Sequence, residues 1–301
     1  MYNGIINVYK EKGFTSHDVV AKLRGILKQK KIGHTGTLDP DATGVLPVCL
    51  GNATKLCDMF TEKTKAYECT MLLGVTTDTQ DISGEIISKC TIDKLESLDE
   101  ETVKEAVLSF VGEYDQIPPM YSALKVNGVK LYDLARQGIT VEREPRRITI
   151  FAIDIKQISL PEVVMEVTCS KGTYIRTLCN DIGEKLGTGA CMKELVRTKS
   201  GSFNIEESIK LEDIQKYTDE NTIDSYVIST EKALSIYDRL ETLPDADKLL
   251  YNGNPLPMDK VVKGSDTKGE LYRVYDSKGT FYGLYKMDNK HRIYRNEKMF
   301  L

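Results

Sequence analysis

Apolar and polar residues along this chain follow two periods, and the period switches often. Residues 3–9 (NGIINVY) read as a strand, and Val19, Val20, Leu23, Ile26 and Leu27 then recur at helical spacing behind a capping Thr15 or Ser16. Residues 66–75 alternate, which puts Tyr67, Cys69, Met71 and Leu73 on one face of a strand. A helix is predicted over 100–111, and a strand over 163–169 that the turn SKG ends. Ile175, Leu178, Cys179, Ile182 and Leu186 mark a further helix, which Gly187 can close. Two stretches keep neither period. Residues 31–55 are dense in Gly, Pro, Asp and Thr and are expected to be largely loop, as are residues 116–138 (QIPPMYSALKVNGVKLYDLARQG). From about residue 230, short Gly-punctuated strand candidates (ELYRVYD, TFYGLYKMD, HRIYR) predict a small β-rich unit. The pattern implies an α+β protein: a mixed, mainly antiparallel sheet with flanking helices and long loops over 1–229, followed by an appendage over 230–301.

Composition narrows the class. A chain of 301 residues fits two domains better than one, and 41% hydrophobic with 29% charged residues is ordinary for a globular protein. No apolar run approaches the length of a membrane span, and the first residues do not form a signal peptide. Seven cysteines, an odd number with no CxxC pair, fit reduced thiols and a cytoplasmic location. The net charge of −4 conceals segregation. Basic residues gather in 1–31, in 125–147 (among them Arg143, Arg146 and Arg147) and in the last fifty residues, whereas acid concentrates in 93–115 and 206–247. Such a distribution builds a positive face on an acidic protein, and phosphate binding depends on the local field.

Several side chains are candidates for chemistry. Asp39, in GHTGTLDPDATG, precedes a proline and is flanked by glycines at 33, 36 and 44, so a tight turn presents its carboxylate. It reads as a nucleophile, a base, a metal ligand together with Asp41, or a turn aspartate capping its own backbone. His34, one of three histidines, lies five residues earlier and suits stacking, proton transfer or backbone capping. Tyr67 offers an apolar ring with a polar tip at the start of a strand, as core or as base-stacking surface. In SKGTYIRTLCNDIGEKLG, Tyr174 and Arg176 fall in the first turn of a helix, where a half-buried arginine needs an anion. Asp39 is a suitable partner, through a paired hydrogen-bond fork.

The strings GHTGTLDPDATGVLPVCLGNATK, KAYE, IPPMYSALKVNGVKLYDLARQG and CSKGTYIRTLCNDIGEKLG together resemble the bacterial tRNA pseudouridine-55 synthase family, the TruB-like enzymes, over about residues 5–200. The resemblance implies a pseudouridine-synthase-like catalytic domain with an RNA-clamping insertion at about 116–147, and a C-terminal PUA-like barrel that binds RNA. It implies isomerisation of uridine 55 in the T-loop of tRNA, by base flipping and exchange of the glycosidic bond. Asp39 matches the family's catalytic aspartate, Arg176 its ion-pair partner, and Tyr67 the tyrosine that stacks on the target base and serves as candidate base. His34 matches the residue that fills the space left by the flipped nucleotide, while Tyr174 and Leu195 match the lining of the uracil pocket. Arg143, Arg146 and Arg147 are expected to clamp T-stem phosphates, and the 116–138 loop to close over the T-arm. The reaction asks for no cofactor and no metal, and no obligate protein partner is implied. An RNA-folding module with incidental modification, and a metal-dependent nuclease built on Asp39 and Asp41, are the competing expectations.

Overall fold

The computed structural model describes residues 1–61, 63–126, 128–263 and 269–300, so Lys268 of the basic C-terminal stretch lies outside the described residues. Seven strands form the spine of a nine-stranded sheet. They are β1 (Gly4–Lys10), β2 (Thr43–Leu50), β3 (Lys65–Leu73), β4 (Gly112–Gln116), β5 (Arg146–Ser159), β6 (Glu162–Cys169) and β7 (Ala190–Ser200). Their order across the sheet is β1-β2-β7-β3-β6-β5-β4. Neighbours along this spine are antiparallel except β2 and β7, which meet in parallel at Val196↔Thr43 and Arg197↔Gly44. The α+β class and the mainly antiparallel sheet are therefore as expected.

Helix α1 (Ser16–Ile26) begins at Thr15, whose side chain accepts from the Asp18 amide while the Asp18 carboxylate accepts from Thr15. This reciprocal cap fixes the helix start. Helices α2 (Glu100–Leu108) and α3 (Ile175–Leu186) cover one face of β3, β5 and β6. There Val103, Val107, Leu178 and Ile182 pack with Cys69, Met71, Met165 and Val167. The predicted Tyr67/Cys69/Met71/Leu73 face of β3 is buried in this cluster. Gly187 closes α3 in the left-handed region at φ 69°.

The stretch 31–55 departs from its expectation. Ile32–His34 is a short strand, and Thr43–Leu50 is an eight-residue strand inside the sheet. Its apolar run does not alternate because both faces are covered. Leu46, Val48 and Leu50 face α1 and α4 (Leu211–Asp219), whereas Val45 and Cys49 face the C-terminal unit. Pro47 is tolerated because its carbonyl accepts from Thr35 at 3.1 Å. The missing N–H points the same way, out of the β1 ladder.

The C-terminal strand candidates are strands Leu271–Tyr275, Phe281–Asp288 and Ile293–Met299, joined in a nearly closed, barrel-like six-stranded sheet of the PUA-like type. Leu234, Leu284, Phe281 and Phe300 pack against Ile5, Val45, Cys49 and Phe203 of the first sheet. A chain ending at residue 229 therefore exposes a continuous apolar face and is expected to aggregate. Size-exclusion chromatography of that truncation tests the shared core, and a soluble monomer with an unchanged melt contradicts it. No helix among the described residues is long and apolar enough to cross a membrane.

Candidate active site

The Asp39 loop runs between the short strand Ile32–His34 and β2, and neighbouring elements tie it down from several sides. The first residue of α1 supplies Ser16 Oγ, which accepts from the Leu38 amide at 2.9 Å. The Pro40 carbonyl accepts from the Gly13 amide at 2.9 Å and from Lys10 Nζ at 3.0 Å. Leu38 and Ala42 are buried in the cluster that holds Tyr67 and Leu195. With both shoulders buried, the Asp39 side chain turns outward and keeps 39% of its surface exposed.

Arg176 meets it from the start of α3. Its side chain is 6% exposed, and Nη1 lies 3.1 Å from Asp39 Oδ2 and 3.6 Å from Asp81 Oδ2. The expected fork between Arg176 and Asp39 is not formed, because Nη2 donates instead to the Tyr121 carbonyl at 2.6 Å. One guanidinium thus holds the carboxylate, Asp81 and the root of the 117–145 loop. Gln116 and Tyr174 exchange two hydrogen bonds, of 2.8 and 3.1 Å, at that same root. The Tyr174 ring lies 5.7 Å from the Arg176 guanidinium carbon.

Tyr67 and Leu195 come from adjacent strands, facing Arg197 and Cys69 across the β3–β7 ladder. They form the apolar floor beside the Asp39 loop, each 9% exposed. His34 is set at the side: its Nδ1 accepts from the Gly36 amide at 3.3 Å, and its ring meets His17 edge-on at 5.2 Å. Of the three basic candidates, Arg146 is exposed. Arg143 Nη1 donates to the Pro118 carbonyl at 3.0 Å. Arg147 is held in a fork by Asp115, at 2.7 and 2.9 Å, so its charge is already engaged. The structure brings Asp39, Arg176, Tyr67, Leu195 and Tyr174 to one centre and leaves the three arginines along and below the insertion.

Electrostatics follow from burial. Burial raises the Asp39 carboxyl above the ordinary aspartate value, and Arg176 pulls it back. Burial also raises Tyr67, with Arg197 as the main opposing charge. His34 is lowered to about 4 by burial, with His17 and Arg197 adding to the effect, and is neutral at physiological pH. Lys10, counted in the sequence among surface charges, is fully buried and lowered to about 8 by that burial despite Asp39 and Asp41 nearby. Among the described residues, no three His, Cys, Asp or Glu side chains cluster as metal ligands would. Asp41 lies exposed in the turn beyond Pro40. Asp41→Ala is accordingly expected to change turnover at saturating substrate by less than about threefold, within the usual range of a surface change. A larger change in kcat would place Asp41 at the reacting centre.

Three residues of the centre had no functional reading in the sequence. Asp81 is fixed by Ser83, whose amide and hydroxyl donate to Oδ1 at 3.0 and 2.6 Å. Lys10 braces Pro40, and Arg197 stands opposite Tyr67 in the β3–β7 ladder, 1% exposed. Strand alternation from Leu195 gave the one available signal for Arg197, since residues two apart share a face.

A carboxylate turned outward beside a buried guanidinium, over a tyrosine-lined apolar floor, is an enzyme's centre rather than a binding surface alone. The family model "TruB family pseudouridylate synthase (N terminal domain)" matches residues 24–175, and "tRNA pseudouridylate synthase B C-terminal domain" matches 176–235. The fold is thus that of a pseudouridine synthase. The tRNA pseudouridine synthase B of Lachnoclostridium phytofermentans is 52% identical over 99% of this chain and 100% of its own. That of Clostridium perfringens is 48% identical over 96% of each chain. Among solved structures, an H/ACA RNP bound to a substrate RNA containing 2′-deoxyuridine matches with TM-score 0.73 and 27% identity, over 99% of this chain and 85% of that one. A Cbf5-Nop10-Gar1 complex matches with TM-score 0.73 and 29% identity, over 99% and 85%. The chain belongs to the TruB family of tRNA pseudouridine synthases.

Proposed function

We propose that this protein converts uridine 55 in the T-loop of tRNA into pseudouridine, with Asp39 as the group that acts on the reacting nucleoside. The observation that carries this reading is the Asp39–Arg176 pair at 3.1 Å, set at the edge of the Tyr67 and Leu195 floor. In the isomerisation the N1–C1′ bond breaks and a C5–C1′ bond forms. The hydrogen on C5 leaves as a proton and N1 gains one, so nothing is oxidised and no group is imported. Attack on C1′, attack on C6 and removal of the C2′ proton all need the same ionised, oriented carboxylate, which Arg176 favours. The target uridine is extruded from its loop, at a cost of a few kcal/mol. Tyr67 stacks on the flipped base and relays a proton during the exchange, its hydroxyl oxygen accepting one as it gives up its own. Leu195 and Tyr174 close the pocket, and His34 fills the vacated space in the RNA.

Residues 1–229 form the catalytic unit in this reading, and residues 230–301 a PUA-like RNA-binding unit. The 116–147 insertion closes over the T-arm, with Arg143 and Arg146 on phosphates and Arg147 available once Asp115 releases it. The protein works in the cytoplasm, where its substrate is. Release of tritium from a [5-³H]uridine-labelled tRNA transcript, measured in EDTA, tests the reaction, because C5 loses its hydrogen only on becoming the new glycosidic carbon. Wild type should release the label of one uridine per tRNA, and a transcript with cytidine at position 55 should release none. Tight binding of tRNA with no release would favour the RNA-folding module instead.

A further inference from the structure

Arg197 is among the largest fully buried side chains of the protein, at 1% exposure. Among the described residues it forms no ion pair with a carboxylate. Its Nε donates to the Val45 carbonyl at 2.6 Å, its Nη2 donates to the Gly36 carbonyl at 3.2 Å, and it stands directly opposite Tyr67 in the β3–β7 ladder. A buried charge without a countercharge is costly, and an apolar residue would fill such a site more stably. Two main-chain carbonyls nevertheless receive it, and the strands close tightly where it sits. Gly44 lies opposite Arg197 in the parallel register at φ +101°, and a Cβ there would fall 2.3 Å from the Arg197 carbonyl oxygen.

Each of these three neighbours belongs to a different part of the centre. Gly36 lies in the loop that carries Asp39, Val45 is in the strand that leaves that loop, and Tyr67 is in the neighbouring strand. Taking the reaction as read above, we infer that Arg197 is a positioning residue for the isomerisation, whose guanidinium ties the Asp39 loop and the start of β2 to the strand position opposite Tyr67, so that loop and tyrosine are held in one arrangement. Its charge also acts on what it holds. It opposes the rise that burial imposes on Tyr67, where Asp39 and Cys169 are the other ionisable neighbours, and it adds to the lowering of His34 and Lys10. A lysine keeps the charge but lacks the planar fork, so it cannot hold both carbonyls in the arginine's geometry.

A double-mutant cycle on tritium release tests this, run at saturating tRNA with each variant's fold checked by thermal melting. Tyr67→Phe and Arg197→Met are each expected to lower kcat by about 10²-fold, in the range of lost proton-transfer or preorganised electrostatic groups, with KM within about threefold. Arg197→Lys should retain kcat to within about tenfold of wild type. The double variant should fall no more than about threefold below the weaker single one, because both changes remove one arrangement. Losses that multiply, or an Arg197→Met defect confined to KM, would overturn the role. If Arg197→Met does not fold, the cycle of Arg197→Lys with Tyr67→Phe decides by the same criterion. A wild type that binds tRNA without releasing tritium overturns the reaction as read, and this role with it; multiplicative losses in an active enzyme overturn only the role of Arg197.

Discussion

Asp39→Asn is expected to lower tritium release by about 10⁴-fold or more, the scale on which loss of a catalytic nucleophile is felt, while tRNA affinity changes by less than about threefold. The substitution keeps shape and removes charge. The Asp39 loop is held by Leu38, Pro40 and Ala42 rather than by the carboxylate, so the loop should stay in place. Stability points the same way. A carboxyl whose folded-state pKa is raised above its unfolded value binds its proton more tightly when folded. Ionised Asp39 is therefore a cost that the fold bears above that raised pKa, and the cost vanishes below the ordinary aspartate value. The asparagine variant should melt no lower than wild type at neutral pH, and lost turnover then cannot be ascribed to lost fold. The competing roles separate here as well. An RNA-folding module would release no tritium in either form, whereas a nuclease on Asp39 and Asp41 would cut the strand and stop in EDTA. Turnover by Asp39→Asn within tenfold of wild type would remove Asp39 from the chemistry.

Arg176→Met is the second large effect, and pH makes it diagnostic. The guanidinium is the strongest charge opposing the burial-driven rise of Asp39. Without it the carboxyl climbs further, so the acid limb of kcat moves to higher pH. At pH 7 kcat should fall by about 10²- to 10³-fold, as for loss of a preorganised charge, and should recover in part towards pH 9. Affinity should suffer too, because the Tyr121 carbonyl at the root of the insertion loses its donor. Breaking a buried pair costs about 3–5 kcal/mol, and the cost here should lie below that range because Asp39 is 39% exposed. A kcat–pH profile with the wild-type shape, merely scaled down, would show that Arg176 does not govern the ionisation of Asp39.

What the sequence disclosed was local. Period-2 alternation placed Tyr67, Cys69, Met71 and Leu73 on one buried face, and helical spacing with a terminal glycine delimited Ile175–Leu186. Thr43–Leu50 escaped because a strand covered on both faces shows no alternation, and Gly44 and Pro47 read as breakers. Lys10 and Arg197 escaped for a different reason. Charge predicts exposure unless a partner is known, and their partners are main-chain carbonyls at Pro40, Val45 and Gly36. The fork between Arg147 and Asp115 arises only where β4 and β5 lie side by side. Asp39, Tyr67 and Arg176 stood out in their local sequence, Asp39 and Arg176 as a candidate ion pair; motif resemblance gave them roles, and their convergence on one floor came from the sheet.

The parallel seam between β2 and β7 also sets when this enzyme can exist. Arg197 reaches back 152 residues to Val45 and 161 residues to Gly36. A chain still on the ribosome at residue 180 already carries Asp39, Tyr67 and Arg176, yet has no β7 to seat the floor between β2 and β3. Contacts of such separation form late, after the local helices and hairpins. The centre is thus completed close to the end of the domain's synthesis, and a nascent chain gains no activity in instalments.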